Sequence, residues 1–145
     1  MTPVAALVAL AALVLVAVGL GVLQRGLAGR ARRVDGAAIS PADLGIDGPF
    51  GERATLVQFT TPTCATCPAT ARLLKEVAGS EPGVVHLEVD LARRPDVADR
   101  FSVLQTPTTL VVDADRRIRA RFGGAARRDV VDRELDAVLG GPRAR

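Results

Sequence analysis

The stretch that decides the fold is residues 59–68, Phe59-Thr60-Thr61-Pro62-Thr63-Cys64-Ala65-Thr66-Cys67-Pro68, which holds both cysteines of this chain. Residues 53–60 read as a short run of β-forming side chains that ends at Phe59. From Cys64 to Gly79, apolar residues recur at three- and four-residue spacing, which predicts a helix. We therefore place the two cysteines where a buried strand turns into a helix.

This position predicts reactive thiol chemistry. The first N–H groups of a helix lack backbone partners and carry partial positive charge, so a thiolate there is stabilised and the pKa of Cys64 should be lowered. Cys67, one helical turn further on, can reach the first sulfur with little backbone movement. We expect Cys64 to be the nucleophile and Cys67 the resolving thiol. A lone C-x-x-C is also compatible with metal binding.

The rest of the chain predicts an α/β fold. Apolar alternation and spacing indicate, in order, a strand over 83–90, a short helix over 94–101, strands over 108–113 and 116–122, and a final helix over about 126–139. A strand–helix–strand unit requires a parallel pair with a right-handed crossover, and the last two strands form a hairpin. We expect a mixed sheet flanked by helices on both faces, with the arginines of 116–122 protecting a solvent-facing edge.

A separate apolar segment precedes this domain. Val4 to Leu23 is a run of twenty residues without a charge, long enough to cross the ~30 Å hydrocarbon core of a bilayer as a helix. It is too long for the apolar part of a signal peptide, and no clear cleavage site follows it. We interpret residues 1–24 as one N-terminal transmembrane anchor that contacts the lipid bilayer through residues 4–23. A cleaved signal peptide is the alternative.

The net charge of +3 does not indicate nucleic-acid binding. Arg25, Arg30, Arg32 and Arg33 follow the apolar run, and residues 36–145 hold 15 basic and 15 acidic residues. These arginines suit anionic headgroups, and the positive-inside rule then predicts a cell-membrane protein whose domain faces the cytoplasm. The extracytoplasmic face is the alternative. Residues 25–49 read as a basic linker, with an edge strand over 34–39 and a helical turn capped by Ser40.

With these elements in order, residues 50–141 resemble the thioredoxin superfamily, and the whole chain resembles its membrane-anchored bacterial members. The resemblance rests on the C-x-x-C at a strand-to-helix turn, on Thr106-Pro107-Thr108 before a strand, and on Phe122-Gly123-Gly124 after the last strand. It implies that Cys64 attacks, that Cys67 resolves, and that Pro107 forms a cis peptide bond facing the disulfide. An ordinary proline at the start of a strand is the alternative for Pro107.

The resemblance also implies how a substrate binds. Thr106, before the proline, would hold the substrate through its backbone, and Thr63, before the first cysteine, would contact it. Thr63 stands where thioredoxins usually carry tryptophan, and Gln58 stands where they place a buried carboxylate. The sole histidine, His86, is a candidate proton carrier near Cys67. A half-exposed strand position without a catalytic part is the alternative for His86.

These observations favour a membrane-tethered thiol–disulfide oxidoreductase that acts as a reductase. Its partners would be protein disulfide substrates and a thiol electron donor, and no nucleic acid. Its redox-active group would be the Cys64–Cys67 disulfide itself, and it would need no cofactor and no metal. Two other hypotheses stay open: a thioredoxin-fold copper-handling domain using Cys64, Cys67 and His86, and a tethered binding module that uses the fold as a scaffold.

Overall fold

The elements of the chain follow the predicted order. A computed structural model describes residues 3–27, 31–33 and 36–141. The elements are α1 (Pro3–Leu27), β1 (Ala31–Arg33), α2 (Pro41–Leu44), β2 (Ala54–Thr60), α3 (Cys67–Gly79), β3 (Val84–Asp90), α4 (Pro95–Arg100), β4 (Thr108–Asp113), β5 (Ile118–Gly123) and α5 (Arg128–Leu139). Each element predicted from residue 53 onward is present, with ends that differ by no more than three residues.

The strands form one mixed sheet in the order β1-β5-β4-β2-β3. β2 and β3 are parallel, with α3 as the crossover between them, while β4 runs antiparallel to both β2 and β5. The predicted α/β mixed sheet is therefore confirmed. β2 lies inside the sheet, and its residues from Ala54 to Phe59 are all buried, as expected for a strand covered on both faces.

The predicted edge was wrong. β5 pairs with β4 on one side and with β1 on the other, where Arg32 lies opposite Arg121. The alternating arginines of 116–122 mark a solvent-facing side of that strand, but they carry no information on whether its backbone has a second partner. The predicted edge strand over 34–39 is borne out in part: Ala38 forms an antiparallel bridge with Arg117, and the paired strand β1 is Ala31–Arg33. Residues 34 and 35 lie outside the described part of the chain.

Ser40 begins the short helix α2 as predicted. Its hydroxyl accepts a hydrogen bond from the N–H of Asp43, and the Asp43 carboxylate accepts one from the N–H of Ser40, which forms a complete capping box. Pro41 occupies the first helical turn, where its missing N–H costs little. The capped turn is followed by Leu44, whose side chain is fully buried. The cap therefore helps to hold Leu44 in the core.

Two apolar layers sandwich the sheet. On one face, α3 and α5 pack against β2, β4 and β5, with Leu56, Leu74, Phe122 and Leu135 fully buried. On the other face, α2 and α4 cover Val57, Phe59 and Leu110 through Leu44 and Val97. Alternate residues of β2 thus point into different layers. This alternation sends Gln58 to the same side as Leu56, the side on which α3 begins.

The N-terminal segment forms the 25-residue helix α1. Its described large apolar side chains, such as Leu7 and Leu15, are exposed. In α1 the side chains of residues 4, 5 and 7–23 are described. Taking the described residues alone, no helix is both long and apolar enough to cross a membrane.

Candidate active site

The two cysteines lie at the carboxyl end of β2. β2 ends at Thr60, and α3 begins at Cys67 with Pro68 in its first turn. Cys64 therefore lies in the turn before the helix, which corrects the prediction that the helix begins at Cys64. The Cys64 N–H donates to the carbonyl of Thr61 over 3.1 Å, and the Cys67 N–H donates to the carbonyl of Cys64 over 3.3 Å. The apolar spacing predicts which face of α3 is buried, but it does not predict the residue at which the helix begins.

Cys64 and Cys67 form a disulfide, with their Cα atoms 5.4 Å apart. Cys67 is only 3% exposed, whereas Cys64 is half-buried. A groove of about 380 Å³ runs beside the disulfide, and its lining includes Pro62, Arg72 and Glu88. Cys64 therefore carries the more accessible sulfur, which a partner molecule reaches first.

A cis peptide bond joins Thr106 to Pro107, as the resemblance implied. β4 runs antiparallel to β2 with Thr108 opposite Phe59, so the residues before β4 lie beside the turn after β2. The hydroxyls of Thr106 and Thr61 are 3.1 Å apart and join the two loops by a hydrogen bond. Thr63 is exposed next to Cys64. The substrate-binding roles of Thr63, Thr106 and Pro107 stay predictions.

A buried amide lies under the inner cysteine. Gln58 is fully buried, and its Nε2 donates to the backbone carbonyl of Cys67 over 3.0 Å. Its Oε1 lies 3.2 Å from Nε2 of His86. His86 is thus connected to the main chain of Cys67 through Gln58. Burial lowers the pKa of His86 to about 4, with a smaller opposing effect from Glu88 and a further lowering by Lys75. The ring is therefore neutral near pH 7, and its role as a proton carrier stays a prediction.

Sequence reasoning missed two contacts of this site. The bond from Gln58 to the Cys67 carbonyl has a weak signal, since a glutamine interrupts the apolar run of β2. The hydroxyl pair of Thr61 and Thr106 has no local signal, because these residues are 45 positions apart. Only the strand register brings them together.

The copper-handling alternative gains no support from this geometry. Across the described ranges, no group of three or more His, Cys, Asp or Glu side chains could hold a metal ion. Nε2 of His86 faces Gln58, while the two sulfurs are bonded to each other.

Comparisons with known proteins agree with this geometry. The family model described as Thioredoxin matches residues 50–137, more than half of the chain. A thioredoxin of Methanocaldococcus jannaschii is 34% identical over 58 residues, which cover 39% of this chain and 67% of that protein. A thioredoxin of Staphylococcus saprophyticus is 30% identical over 76 residues, which cover 52% of this chain and 73% of that protein.

Solved structures show the same fold. The X-ray structure of Fasciola hepatica thioredoxin is similar with a TM-score of 0.51 and 24% identity, covering 59% of this chain and 80% of that one. A structure titled as that of a malarial protein is similar with a TM-score of 0.52 and 20% identity, covering 60% and 98%. At these identities the likeness concerns the fold alone.

Proposed function

Since this chain belongs to the thioredoxin family and holds Cys64 and Cys67 as a disulfide, it is a thiol–disulfide oxidoreductase, and we propose that Cys64 is its attacking cysteine and Cys67 its resolving one. The difference in burial carries the assignment of roles. Cys64 lies half-buried beside a groove, and Cys67 is 3% exposed behind it. An incoming disulfide therefore meets the Cys64 sulfur first.

The reaction follows from thiol–disulfide exchange. The Cys64 thiolate attacks one sulfur of a substrate disulfide, forms a mixed disulfide and releases the other substrate sulfur as a thiolate. Cys67 loses its proton to solvent and attacks the Cys64 sulfur, which re-forms Cys64–Cys67 and releases the second substrate thiolate. Two electrons pass to the substrate in one cycle. A thiol donor then reduces the protein for the next cycle.

Trapping experiments test these roles. With dithiothreitol as donor and insulin as the disulfide substrate, we expect Cys64→Ser to abolish turnover. When reduced Cys67→Ser is freed of dithiothreitol and then mixed with insulin, it should accumulate a mixed disulfide, visible on a non-reducing gel, because the resolving thiol is missing. Ala65→Ser keeps both sulfurs and serves as the control. Turnover by Cys64→Ser, or no mixed disulfide in Cys67→Ser, would show that the roles are assigned wrongly.

We propose that the enzyme works as a reductase on protein disulfides. The measurement that tests this is the reduction potential of the full chain in graded thiol–disulfide buffers. A value near ~−270 mV is that of a reductase, and a value above ~−180 mV is that of an oxidant or isomerase. The second result would reject the reductase proposal and leave the exchange chemistry intact.

We further propose that the domain is tethered to the cell membrane through residues 4–23 and faces the cytoplasm. The support comes from the uncharged run Val4–Leu23 and from the four arginines that follow it. In intact cells, a membrane-impermeant maleimide should leave the reduced cysteines unlabelled, while permeabilised cells should show full labelling. Labelling in intact cells would place the domain outside. Recovery of the protein in the supernatant after carbonate extraction would reject the tether itself.

A further inference from the structure

Gln58 and His86 form a hydrogen-bonded pair with a fixed direction. The carbonyl oxygen of Cys67 only accepts, so the group of Gln58 that faces it is the amide nitrogen, which donates over 3.0 Å. The amide oxygen of Gln58 is then turned toward His86, 3.2 Å from Nε2. Because that oxygen can only accept, Nε2 of His86 carries the hydrogen. The chain of donors runs from His86 through Gln58 to the main chain of Cys67.

The hydrogen-bonded pair of Gln58 and His86 carries no charge. Nδ1 of His86 is buried, and no partner for it exists among the residues that the structure describes, so a proton at Nδ1 would have no acceptor there. Two charged groups face the ring: Glu88 on the same strand and Lys75 on α3, which pair with each other over 2.8 Å. From β4, the residue opposite Gln58 is the buried, uncharged Thr109. The surroundings thus supply no net charge to hold an imidazolium.

We propose that Gln58 and His86 are positioning residues for the resolving step, in which the donor bond of Gln58 holds the main chain of Cys67 and His86 holds Gln58. Neither residue gains or loses a proton during the step. This inference rests on the proposed roles of the two cysteines. It predicts that the attack by Cys67 depends on the donor at position 86 and that, apart from the loss of the Cys67 proton, no buried group adds to its pH dependence.

The reaction with Ellman's reagent separates the two steps in the full-length reduced protein. The Cys64 thiolate attacks the reagent disulfide, forms a mixed disulfide with one thionitrobenzoate and releases the other. Cys67, after losing its proton to solvent, attacks the Cys64 sulfur and releases the second thionitrobenzoate. Stopped-flow absorbance records both releases, and the ratio of the second rate to the first reports the resolving step against an internal reference.

Two matched variants test His86. His86→Gln places an amide nitrogen near the position of Nε2 and should keep the rate ratio within about twofold. His86→Asn carries the same amide on a shorter side chain that cannot reach Gln58, so the buried acceptor is left unpaired and the ratio should fall roughly threefold to tenfold. Equal ratios in the two variants would overturn the positioning role of His86.

Gln58→Glu tests the requirement for a neutral donor. An ionised glutamate cannot donate to the Cys67 carbonyl, whereas a protonated one can. Because burial raises the pKa of a carboxyl group, the second phase of this variant should gain a pH-dependent inflection in addition to the one due to deprotonation of Cys67, and the wild-type protein should lack this additional inflection. A wild-type profile with the same additional inflection, or a variant profile without it, would overturn the proposal. If no second release occurs in the wild-type protein, the proposed function itself fails, which is a separate outcome.

Discussion

Acidification should destabilise the folded chain through His86. In the native structure, burial lowers the pKa of this residue from 6.5 to about 4, whereas in the unfolded chain it returns to the ordinary value of roughly 6.5. Between these two pH values the unfolded chain binds a proton that the native state does not. The stability due to neutral His86 is therefore fully present above the unfolded pKa and is lost as the pH falls toward 4.

The size of the effect follows from the shift. One pKa unit corresponds to about 1.4 kcal/mol, so the fall from 6.5 to about 4 sets an upper limit of about 3 kcal/mol. The imidazole is only half-buried, and solvent screening reduces the contribution. We expect a loss of roughly 1–2 kcal/mol in the free energy of unfolding.

Urea unfolding of the wild-type protein and of His86→Gln, each at about pH 7 and about pH 4.5, measures this loss. The variant retains every carboxylate, so the difference between the two pH-dependent losses belongs to His86. Because the chain has one histidine, its ring signals in an NMR titration report the native pKa without ambiguity. A native pKa near 6.5, or equal losses in both proteins, would refute the reasoning.

Three further predictions concern the free energy of unfolding measured in urea. Phe122→Ala removes a fully buried ring between the sheet and α5 and should cost about 3–5 kcal/mol; a loss below about 1 kcal/mol would mean that the layer repacks. Ser40→Ala breaks the capping box of α2 and should cost about 1 kcal/mol, whereas Ser40→Asp should retain most of the cap. Gly140→Ala places a side chain at φ +85° with open space around it, so its cost of roughly 1–2 kcal/mol should be conformational. Gly79→Ala, also in open space but without a positive φ, should instead be neutral or stabilising, and similar effects at both glycines would contradict this explanation.

Much of the fold could be predicted because its signals are local. The near-continuous apolar run within residues 108–113 predicts β4 to the residue, and Ser40-Pro41 marks the start of α2. Pairing between distant segments has no such signal, which is why the sequence predicts β5 as an edge strand although β1 pairs with it. The sequence prediction begins α3 three residues too early, at Cys64, because apolar spacing does not distinguish the turn hydrogen bonds of Cys64 and Cys67 from the start of a helix.

In the candidate site too, the reacting groups follow from local sequence, whereas their environment follows from the pairing of distant segments. Cys64 and Cys67 could be identified from sequence because their spacing places both sulfurs in one turn. Their environment comes from neighbouring strands, where Leu56 lies beside His86 and Gln58 lies opposite Thr109. A slip of one residue between β2 and β3 would turn His86 to the other face of the sheet and remove the donor from Gln58. The polarity beneath the disulfide is therefore a consequence of strand register, and variants that disturb β3 should alter the resolving step even when both cysteines are intact.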